Sequence, residues 1–414
     1  MNEIEDFDFD KLVLDYGSPL FVASAKTLRN NLKIFKEEFS RKYPKVEVSY
    51  SYKANNLLGL LDIIHKEGAW AEVASGFEYD LARRIGVTGG SIVFNGPYKK
   101  KEELKRAIND GALINVDNIG ELERISEIAS QSNKTVEIGI RINTDTGVKQ
   151  LPDRFGFNIE SGEAFEIVQD CVKRDLVRVI GLHIHLTSYI IDSGDLLDFV
   201  PAKSTKLIWP KSSIIYKVAS ERIAVFAEEI RRRFGITIKY IDMGGGFPTV
   251  EELRPYVEAI TLPILEVFKH DVPVLILEPG RAIVNDTNHL IATVVNVKEI
   301  ANGKRHVVID AGINLLPTSL WRFQELESLN TKDMDLKETI VYGPLCLQTD
   351  IVGIVILPEL DIGDKLFIKN VGAYNISQSS SFIFPKPNII LKDGDEVRVI
   401  RRSETIEDIL LHEN

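Results

Sequence analysis

Short apolar runs alternate with amphipathic stretches from about Leu28 to Gly280. The apolar runs are bounded by turn residues, which is typical of buried strands, and the stretches between them carry apolar residues at helical spacing. The pattern predicts eight strands, at Val46–Tyr52, Ala71–Ala74, Ser91–Phe94, Leu113–Val116, Thr135–Ile142, Arg178–His185, Ile238–Met243 and Val274–Glu278. It predicts helices between them, at Asn56–Lys66, Phe77–Ile85, Lys101–Asp110, Ile119–Ser130, Glu163–Lys173, Ala219–Phe234 and around Glu251–Phe268.

Repeated strand–helix units of this length imply a parallel sheet, so the predicted class is α/β. Eight such units favour a closed (β/α)8 barrel of the TIM type. An open, doubly wound sheet is the alternative.

The pattern changes after Arg281, where short β-rich runs replace the alternation. Turn signals such as Asn302-Gly303 separate these runs. We therefore predict two domains: a barrel over residues 28–281, and a mostly β domain formed by residues 1–27 and 282–414. The β-rich runs lie at Ala282–Val297, Lys304–Ile309, Glu338–Tyr342, Lys365–Ile368 and Glu396–Arg401.

Composition limits the partners and the compartment. A length of 414 residues exceeds one ordinary core, in agreement with two domains. The net charge of −11 argues against a nucleic-acid partner, which needs a basic face. Cys171 and Cys346 form no disulfide framework, and the sequence contains neither a signal-like apolar region nor a run of about 18 apolar residues. We therefore expect a cytoplasmic protein without a membrane partner.

Lys53 follows an apolar and aromatic strand in the run Tyr50–Asn55. Barrel active sites lie at the carboxyl ends of the strands, where this lysine stands. We expect Tyr50 and Tyr52 to desolvate Lys53 and to lower its pKa, which suits imine formation with an aldehyde. Taken alone, Lys53 has an alternative interpretation as a surface lysine at a strand end.

Two more strand ends carry candidate ligand-binding residues. Asp242–Phe247 contains three consecutive glycines whose backbone N–H groups can cradle a phosphate, and a plain turn is the alternative. Leu277–Arg281 supplies the Glu278 carboxylate for a protonated pyridine nitrogen and the Arg281 guanidinium for a phosphate. A structural pair between these two side chains is the alternative.

Three shorter motifs complete the set. His183 and His185 lie two residues apart on a predicted strand, so we expect their rings to point the same way. The sequence offers no evident third ligand for zinc, and packing of one ring against a flat cofactor is the better interpretation. Gly343–Asp350 holds Cys346, which in isolation is typical of a buried structural thiol. Gly372–Tyr374 follows it.

In their order along the chain, these motifs resemble the pyridoxal 5′-phosphate (PLP)-dependent decarboxylases of the alanine-racemase-like fold. That family includes diaminopimelate, ornithine and arginine decarboxylases. The resemblance extends from Gly17–Leu20 to Gly372–Tyr374, which is nearly the whole chain. It implies a barrel with a C-terminal β domain, a PLP cofactor, amino-acid decarboxylation, and a homodimer with shared active sites.

The resemblance also implies residue roles. The run Tyr50–Asn55 matches the family's lysine motif, which makes Lys53 the Schiff-base lysine. Cys346 matches a thiol that reaches the neighbouring subunit's site, where it or Lys53 would protonate the product, and Asp350 keeps the family's aspartate four residues on. The other implied contacts to PLP are His185 on the pyridine ring, Glu278 at the ring nitrogen, Ser188, Gly245, Gly246, Gly280 and Arg281 at the phosphate, and Tyr374.

The chain departs from the family at residues expected to contact the substrate. Leu347 stands where relatives acting on ornithine, lysine or diaminopimelate have Asp or Glu for the distal ammonium. A buried ammonium without that partner costs about 3–5 kcal/mol, so we expect a substrate other than a free diamino acid. Pro317 stands where diaminopimelate decarboxylases have an arginine for the distal carboxylate, and Arg322 is nearby but out of register. Thr187 replaces a glycine of the histidine motif.

These departures predict a specialised branch. Similar branches decarboxylate an amino acid attached to a larger group, such as a glutamyl group on a carrier protein, in antibiotic or siderophore assembly. Val399–Ile409 resembles a butirosin-pathway enzyme of this kind. The long Tyr189–Ser213 stretch would then shape the pocket mouth, with a solvated insertion as the alternative. The competing functions are decarboxylation of diaminopimelate or a basic amino acid, racemisation, and non-catalytic PLP binding.

Overall fold

The computed structural model describes residues 8–147, 154–186, 210–269, 271–299, 304–329, 336–411 and 413. Its strands, numbered in chain order, are β1 Leu20–Ser24, β2 Val46–Ser51, β3 Trp70–Val73, β4 Ile92–Phe94, β5 Leu113–Val116, β6 Val136–Asn143, β7 Phe157–Asn158, β8 Val177–His183, β9 Tyr240–Asp242, β10 Val274–Leu277, β11 Asn288–Glu299, β12 Arg305–Ile309, β13 Glu325–Ser328, β14 Lys337–Tyr342, β15 Ile351–Leu357, β16 Lys365–Lys369, β17 Ile389–Asp393 and β18 Glu396–Arg401. Its α-helices are α1 Phe9–Tyr16, α2 Ala25–Ser40, α3 Leu58–Lys66, α4 Gly76–Arg84, α5 Lys101–Asp110, α6 Ile119–Ser132, α7 Glu163–Val172, α8 Pro210–Phe234, α9 Arg254–Phe268, α10 Arg281–Val284, α11 Asn375–Gln378 and α12 Ile406–Leu410.

Eight parallel strands close into a barrel, which confirms the predicted fold class. The order around the barrel is β2-β3-β4-β5-β6-β8-β9-β10, and β10 returns to β2 with Leu275 opposite Val46. The strand β7 pairs with β6 outside this ring. Because all eight strands run the same way, their carboxyl ends meet at one face of the barrel, and that face is where candidate residues collect.

Local signals explain why the barrel elements begin and end where they do. The side chains of Ser75 and Asn118 accept backbone N–H groups at the starts of α4 and α6. Gly111 ends α5 in the left-handed conformation, with φ 76°. The helix Lys101–Asp110 and the strand Leu113–Val116 have the predicted bounds, because caps and hydrophobic spacing agree there.

The β domain is a nine-stranded, mostly antiparallel sheet. β1 lies between β11 and β17, antiparallel to the first and parallel to the second. The strand β11 is long enough to pair with β12 near its end and with β16 near its start. The N-terminal strand therefore contributes to the sheet formed by the last third of the chain.

One predicted β run is partly wrong. Ala282–Val297 was expected to be β-rich throughout, but the chain forms helix α10 over Arg281–Val284 and a 3-10 turn over Asn285–Thr287 before β11 begins. The backbone N–H of Ile283 donates to the carbonyl of Gly280, which starts this helical turn. An apolar run of this length does not distinguish a buried helical turn from a strand.

The long stretch Tyr189–Ser213 lies mostly outside the described residues, and only its end enters the structure, where α8 begins at Pro210. Among the helices that the structure describes, none is long and apolar enough to cross a membrane.

Candidate active site

Lys53 lies in a 3-10 turn, Tyr52–Ala54, directly after β2 at the carboxyl face of the barrel. Its Nζ donates a hydrogen bond of 2.6 Å to Oε2 of Glu72, on β3. The Lys53 side chain is 38% exposed, whereas that of Glu72 is 1% exposed. Glu72 also accepts a hydrogen bond from the Ser51 hydroxyl at 2.5 Å. The amine is therefore accessible from the barrel mouth and paired with a buried carboxylate.

The charge state of Lys53 differs from the sequence-based expectation. Tyr50 and Tyr52 are buried beside it, and burial does lower the pKa of Lys53. The negative charges of Glu72 and Glu278 outweigh burial and raise that pKa above its usual range. The expected lowered pKa is therefore wrong for this arrangement, because two carboxylates face the same ammonium.

Glu278 follows β10 and is fully buried in the barrel mouth. Its Oε1 accepts a hydrogen bond of 2.5 Å from Nδ2 of Asn95, and its Oε2 lies 3.4 Å from Nδ1 of His185 and 3.7 Å from Nε2 of His183. Burial raises the pKa of Glu278, but the two histidines outweigh it and hold the pKa well below its usual range. Glu278 is therefore an ionised carboxylate in a dry site.

Asp242, at the end of β9, is the protonated neighbour of Glu278. Burial and the adjacent Glu278 charge raise the pKa of Asp242 well above its usual range. Its Oδ1 accepts the backbone N–H of Gly244 at 2.9 Å. Two adjacent buried carboxyl groups cannot both ionise at low cost, and here the proton belongs to Asp242.

His183 and His185 both face Glu278, as their spacing predicts. Their ring centroids are 6.4 Å apart with the ring planes at 67°. The potential ligand atoms of the two histidines and Glu278 lie within 4.8 Å of one another. No third residue near these histidines is evident from the sequence. Glu278 lies beside them in the structure because β8 and β10 end at the same face of the barrel.

The glycine turn 244–246 brings three strand ends close together. Gly244 and Gly246 have φ values of 65° and 88°, which favour glycine. A Cβ on Gly245 would lie 2.5 Å from the carbonyl oxygen of Glu278, and one on Gly280 would lie 2.7 Å from Cβ of Ala54. These glycines are therefore required for the loops after β2, β9 and β10 to pack against one another.

Arg281 begins α10, and its guanidinium carbon lies 5.7 Å from the centre of the Tyr374 ring. Burial, and then the positive charge of Arg322, lower the pKa of Arg281 to about 10. A buried guanidinium near a second one is favourable for an anion. Ser188, the other predicted phosphate ligand, lies outside the described residues.

Tyr374 reaches this site from the β domain, with a φ of 65° that is uncommon for a residue other than glycine. Three hydrogen bonds of 2.9 Å or less attach its segment to the loop that carries Lys53. They run from the backbone N–H of Tyr374 to the carbonyl of Ala54 at 2.7 Å, from the Ser377 hydroxyl to the carbonyl of Lys53 at 2.8 Å, and from Nδ2 of Asn55 to the carbonyl of Gly372 at 2.9 Å.

Cys346 and Leu347 lie at the surface of the β domain. In the part of the chain that the structure describes, no hydrogen bond or ion pair joins either side chain to the Lys53 cluster. Asp350 is buried, and its two carboxylate oxygens accept the backbone N–H groups of Ile313 and Leu345, both at 2.8 Å. Asp350 thus fixes two loops, and its predicted contact with substrate stays a prediction.

The residues at the barrel mouth fit PLP by the chemistry of their donor groups. PLP presents an aldehyde, a basic ring nitrogen and a phosphate. The site offers an amine on Lys53, an ionised buried carboxylate on Glu278, and a buried guanidinium on Arg281 next to a glycine turn. These are the three partners that such a molecule requires.

Sequence reasoning missed Glu72 and Asn95, and quoted Asp242 without giving it a role. Glu72 is a single charged residue inside a short apolar strand, which is a detectable signal for a functional or paired carboxylate. Asn95 follows β4 in a turn-like sequence and gives no such signal. Its contacts become visible only when the strands are arranged around the barrel.

Comparison with known proteins decides the family. The sequence pattern of the pyridoxal-binding domain of pyridoxal-dependent decarboxylases matches residues 26–205 and 211–285, which is more than half of the chain. The chain belongs to the pyridoxal-dependent decarboxylases. The predicted family, PLP cofactor and decarboxylase activity are thereby confirmed at this level.

Several relatives within this family match over almost their full length. The diaminopimelate decarboxylase of Archaeoglobus fulgidus is 32% identical over 98% of this chain and 95% of its own. That of Methanocaldococcus jannaschii is 29% identical over 98% and 93%. A crystal structure of diaminopimelate decarboxylase from M. jannaschii with L-lysine superposes with a TM-score of 0.87 and 28% identity, over 99% of this chain and 94% of that one.

Proposed function

We propose that this decarboxylase acts on diaminopimelate, releases one of its two carboxylates as CO₂, and places a proton on the same carbon to leave lysine. The support is similarity along the whole chain to diaminopimelate decarboxylases, including one crystallised with L-lysine. This is the primary-metabolism alternative of the sequence analysis and not its preferred substrate. The relatives give no support to a butirosin-type branch.

The barrel residues would hold PLP in one orientation. Lys53 would bind it through Nζ, Glu278 would face the ring nitrogen, His185 would lie against the ring, and Arg281 with the glycine turn would take the phosphate. When bound, PLP supplies an electron sink for the electron pair that the departing CO₂ leaves behind. Glu278 is suited to this task because it is ionised without a bulk-water contact.

Proton movement would involve both domains. On the barrel side, Lys53 would hold a proton at Nζ, oriented by the hydrogen bond to Oε2 of Glu72. Cys346 is exposed on the β domain, where a second copy of the chain would bring it to the other copy's Lys53. A homodimer with shared sites is therefore part of the proposal, and Cys346 would return a proton to the product.

A second candidate substrate is favoured by one observation. Leu347 is 41% exposed and apolar where a carboxylate would be needed to pair with a free distal ammonium. An amino-acid conjugate whose distal amine is acylated, as in a specialised pathway or on a carrier, avoids that unpaired charge. The surface position of Leu347 leaves room for a larger attached group.

A CO₂-release panel with the PLP-loaded protein separates the two candidates. It would contain diaminopimelate, lysine, ornithine, arginine and mono-N-acetyl-diaminopimelate. We expect the largest kcat/KM for free diaminopimelate. A higher value for the acylated compound would overturn the proposal in favour of a conjugate, and release from none of them would reject both substrate classes.

A further inference from the structure

A buried layer of amides lies directly below Lys53 and Glu278. Nδ2 of Asn95 donates to Oε1 of Glu278 at 2.5 Å and to Oε1 of Glu72 at 3.2 Å. Glu72 is the partner of Lys53, and Glu278 is the carboxylate proposed to face the ring nitrogen of PLP. One amide nitrogen therefore joins the two acids that serve opposite ends of the cofactor site.

The orientation of the Asn95 amide is fixed from below. Its Oδ1 accepts a hydrogen bond of 2.9 Å from Nδ2 of Asn115, and Oδ1 of Asn115 accepts one of 2.8 Å from the Tyr240 hydroxyl. A Cβ on Gly139 would lie 2.1 Å from the Tyr240 hydroxyl oxygen, and one on Gly181 would lie 2.1 Å from its ring. Two glycines thus make room for the tyrosine that starts this chain of hydrogen bonds.

The hydrogen bonds from Tyr240 through Asn115 and Asn95 to the two carboxylates can donate in only one direction. An amide that accepts through its oxygen must present its nitrogen to its other neighbours, so Asn95 directs both N–H bonds at carboxylates. Hydrogen bonds to a charged acceptor are stronger than those between neutral groups, and a buried carboxylate left without them is costly. The titratable groups that surround Asn95 and its two acids include Glu72, Glu278, Asp242, His183, His185, Lys53, Glu78 and Tyr240.

We propose that Asn95 is a positioning residue for decarboxylation, which holds the carboxylates of Glu72 and Glu278 at fixed places while Asn115 and Tyr240 set its orientation. Asn95 acts through the two carboxylates. The inference rests on the proposed roles of Lys53 and Glu278 and is independent of which amino acid the enzyme consumes.

Asn95→Asp is the sharpest test because it exchanges the donor for an acceptor at almost constant shape. We expect kcat to fall by about 10²-fold, as when a donor to an active-site charge is lost, with a smaller change in KM. The pH midpoint of the absorbance change of bound PLP should rise by about one unit or more, because a third carboxylate favours protonation nearby. The protein is used as the PLP-loaded full chain.

Asn388→Asp is the matched control. Nδ2 of Asn388 donates to the Tyr16 carbonyl and its Oδ1 accepts the Ser403 N–H, so the same exchange breaks comparable bonds far from the barrel mouth. It should leave the absorbance midpoint unchanged. If Asn95→Asp and Asn388→Asp have the same midpoint and kcat values within about threefold, the proposal is overturned.

Tyr240→Phe keeps the test decisive if Asn95→Asp does not fold. The variant removes only the hydroxyl that orients Asn115, and we expect about a fivefold loss in kcat together with a shifted absorbance midpoint. Unfolding of the protein without PLP gives a separate measure of stability. A loss of stability alone, with wild-type kcat and midpoint, would reduce the layer to a structural role and overturn the proposal.

Failure of the substrate proposal can be distinguished from failure of the positioning proposal. If the wild type releases CO₂ from no compound in the panel, the substrate proposal fails, but the absorbance titration of bound PLP still compares Asn95→Asp with Asn388→Asp. A midpoint shift there supports the positioning role, and its absence overturns it.

Discussion

The two sides of the candidate site differ in how complete they are. On the barrel side, Lys53, Glu72 and Glu278 each have a hydrogen-bonding or charged partner within the same chain. On the β-domain side, Cys346 and Leu347 are exposed at the surface. The half proposed to hold the cofactor is therefore organised within one chain, whereas the half proposed to meet the substrate is open to solvent or to another molecule.

The two halves of the site are constrained to different degrees. The chemistry of PLP constrains the barrel residues tightly, because the ring nitrogen, aldehyde and phosphate each need a specific partner. The side chains proposed to meet the substrate are exposed on the β domain, where Leu347 departs from the family's pattern. The match of the barrel sequence to the pyridoxal-binding domain shows the family, whereas the substrate depends on the β-domain side.

Lys53→Ala should produce the largest effect. Because Lys53 is the amine proposed to bind PLP, we expect kcat to fall by more than about 10³-fold and the visible band of lysine-bound PLP to disappear. Lys45→Ala, at the opposite end of the same strand region, should retain both. Retention of the visible band in Lys53→Ala would mean that a lysine other than Lys53 binds PLP.

Glu278→Gln should rank second. The glutamine would keep a partner for Asn95 but would lose the negative charge, and we expect kcat to fall by about 10²–10³-fold. Steady-state kinetics with the best substrate measure it. Glu137→Gln, which breaks an exposed 2.6 Å pair with Lys239, is the control and should change kcat by less than about twofold. Equal effects from the two variants would contradict a special role for Glu278.

Leu347→Asp tests the β-domain side. If the substrate has a free distal ammonium, a new carboxylate should raise kcat/KM for diamino acids about 10-fold relative to amino acids without a second amine. Ile356→Asp, at an apolar position of the same domain that is 68% exposed, should not change this ratio. An unchanged ratio in Leu347→Asp would show that Leu347 does not face the distal end of the substrate.

Asp242→Asn should change stability with pH. The folded-state pKa of Asp242 is raised by burial and by Glu278, so the folded protein binds more protons than the unfolded chain above about pH 4. Stability from this group is therefore lost as pH rises towards the folded-state pKa. The asparagine removes that decline, and denaturant unfolding should show the variant gaining more than about 1 kcal/mol relative to wild type between pH 5 and pH 8. A difference in unfolding free energy that does not change with pH would contradict the assignment of the proton to Asp242.

Asp393→Asn should have the smallest effect. Two hydrogen bonds of 2.7 and 2.8 Å join Asp393 to Arg29 on α2, between the β17–β18 hairpin and the barrel side. The pair is partly exposed, so we expect a loss of about 0.5 kcal/mol in unfolding free energy near neutral pH. The bond from Arg29 lowers the pKa of Asp393, and the difference should vanish as pH falls below about 4. A loss as large as that expected for a buried pair would mean that the domains depend on this contact.

The barrel was predictable because its signals are local. Caps, glycine ends and hydrophobic spacing place Lys101–Asp110 and Leu113–Val116 without reference to distant residues. The strand β1 was not predicted, since it is only five residues long and fully buried, and its partners are β11 and β17. Pairing over such sequence distances leaves no periodic pattern in the strand itself.

The candidate site divides in the same way. Lys53, Glu278 and Arg281 stand in sequence motifs at predicted strand ends and could be named from those motifs. The charge states could not, because they depend on neighbours from other strands. The raised pKa of Lys53 needs Glu72 and Glu278 beside it, and the Asn95 bridge needs β4 between β3 and β5 in the closed ring.

The three hydrogen bonds of 2.9 Å or less between residues 53–55 and residues 372–377 have a consequence for recombining this protein with its relatives. The loop that carries Lys53 is braced by the other domain through the Tyr374 N–H, the Gly372 carbonyl and the Ser377 hydroxyl. A chimaera that joins this barrel to a relative's β domain must therefore preserve the backbone path around Tyr374 and the hydroxyl of Ser377. In a working hybrid, the crossover points should therefore lie on either side of residues 372–377, so that this segment stays with its own barrel, rather than at the domain boundary.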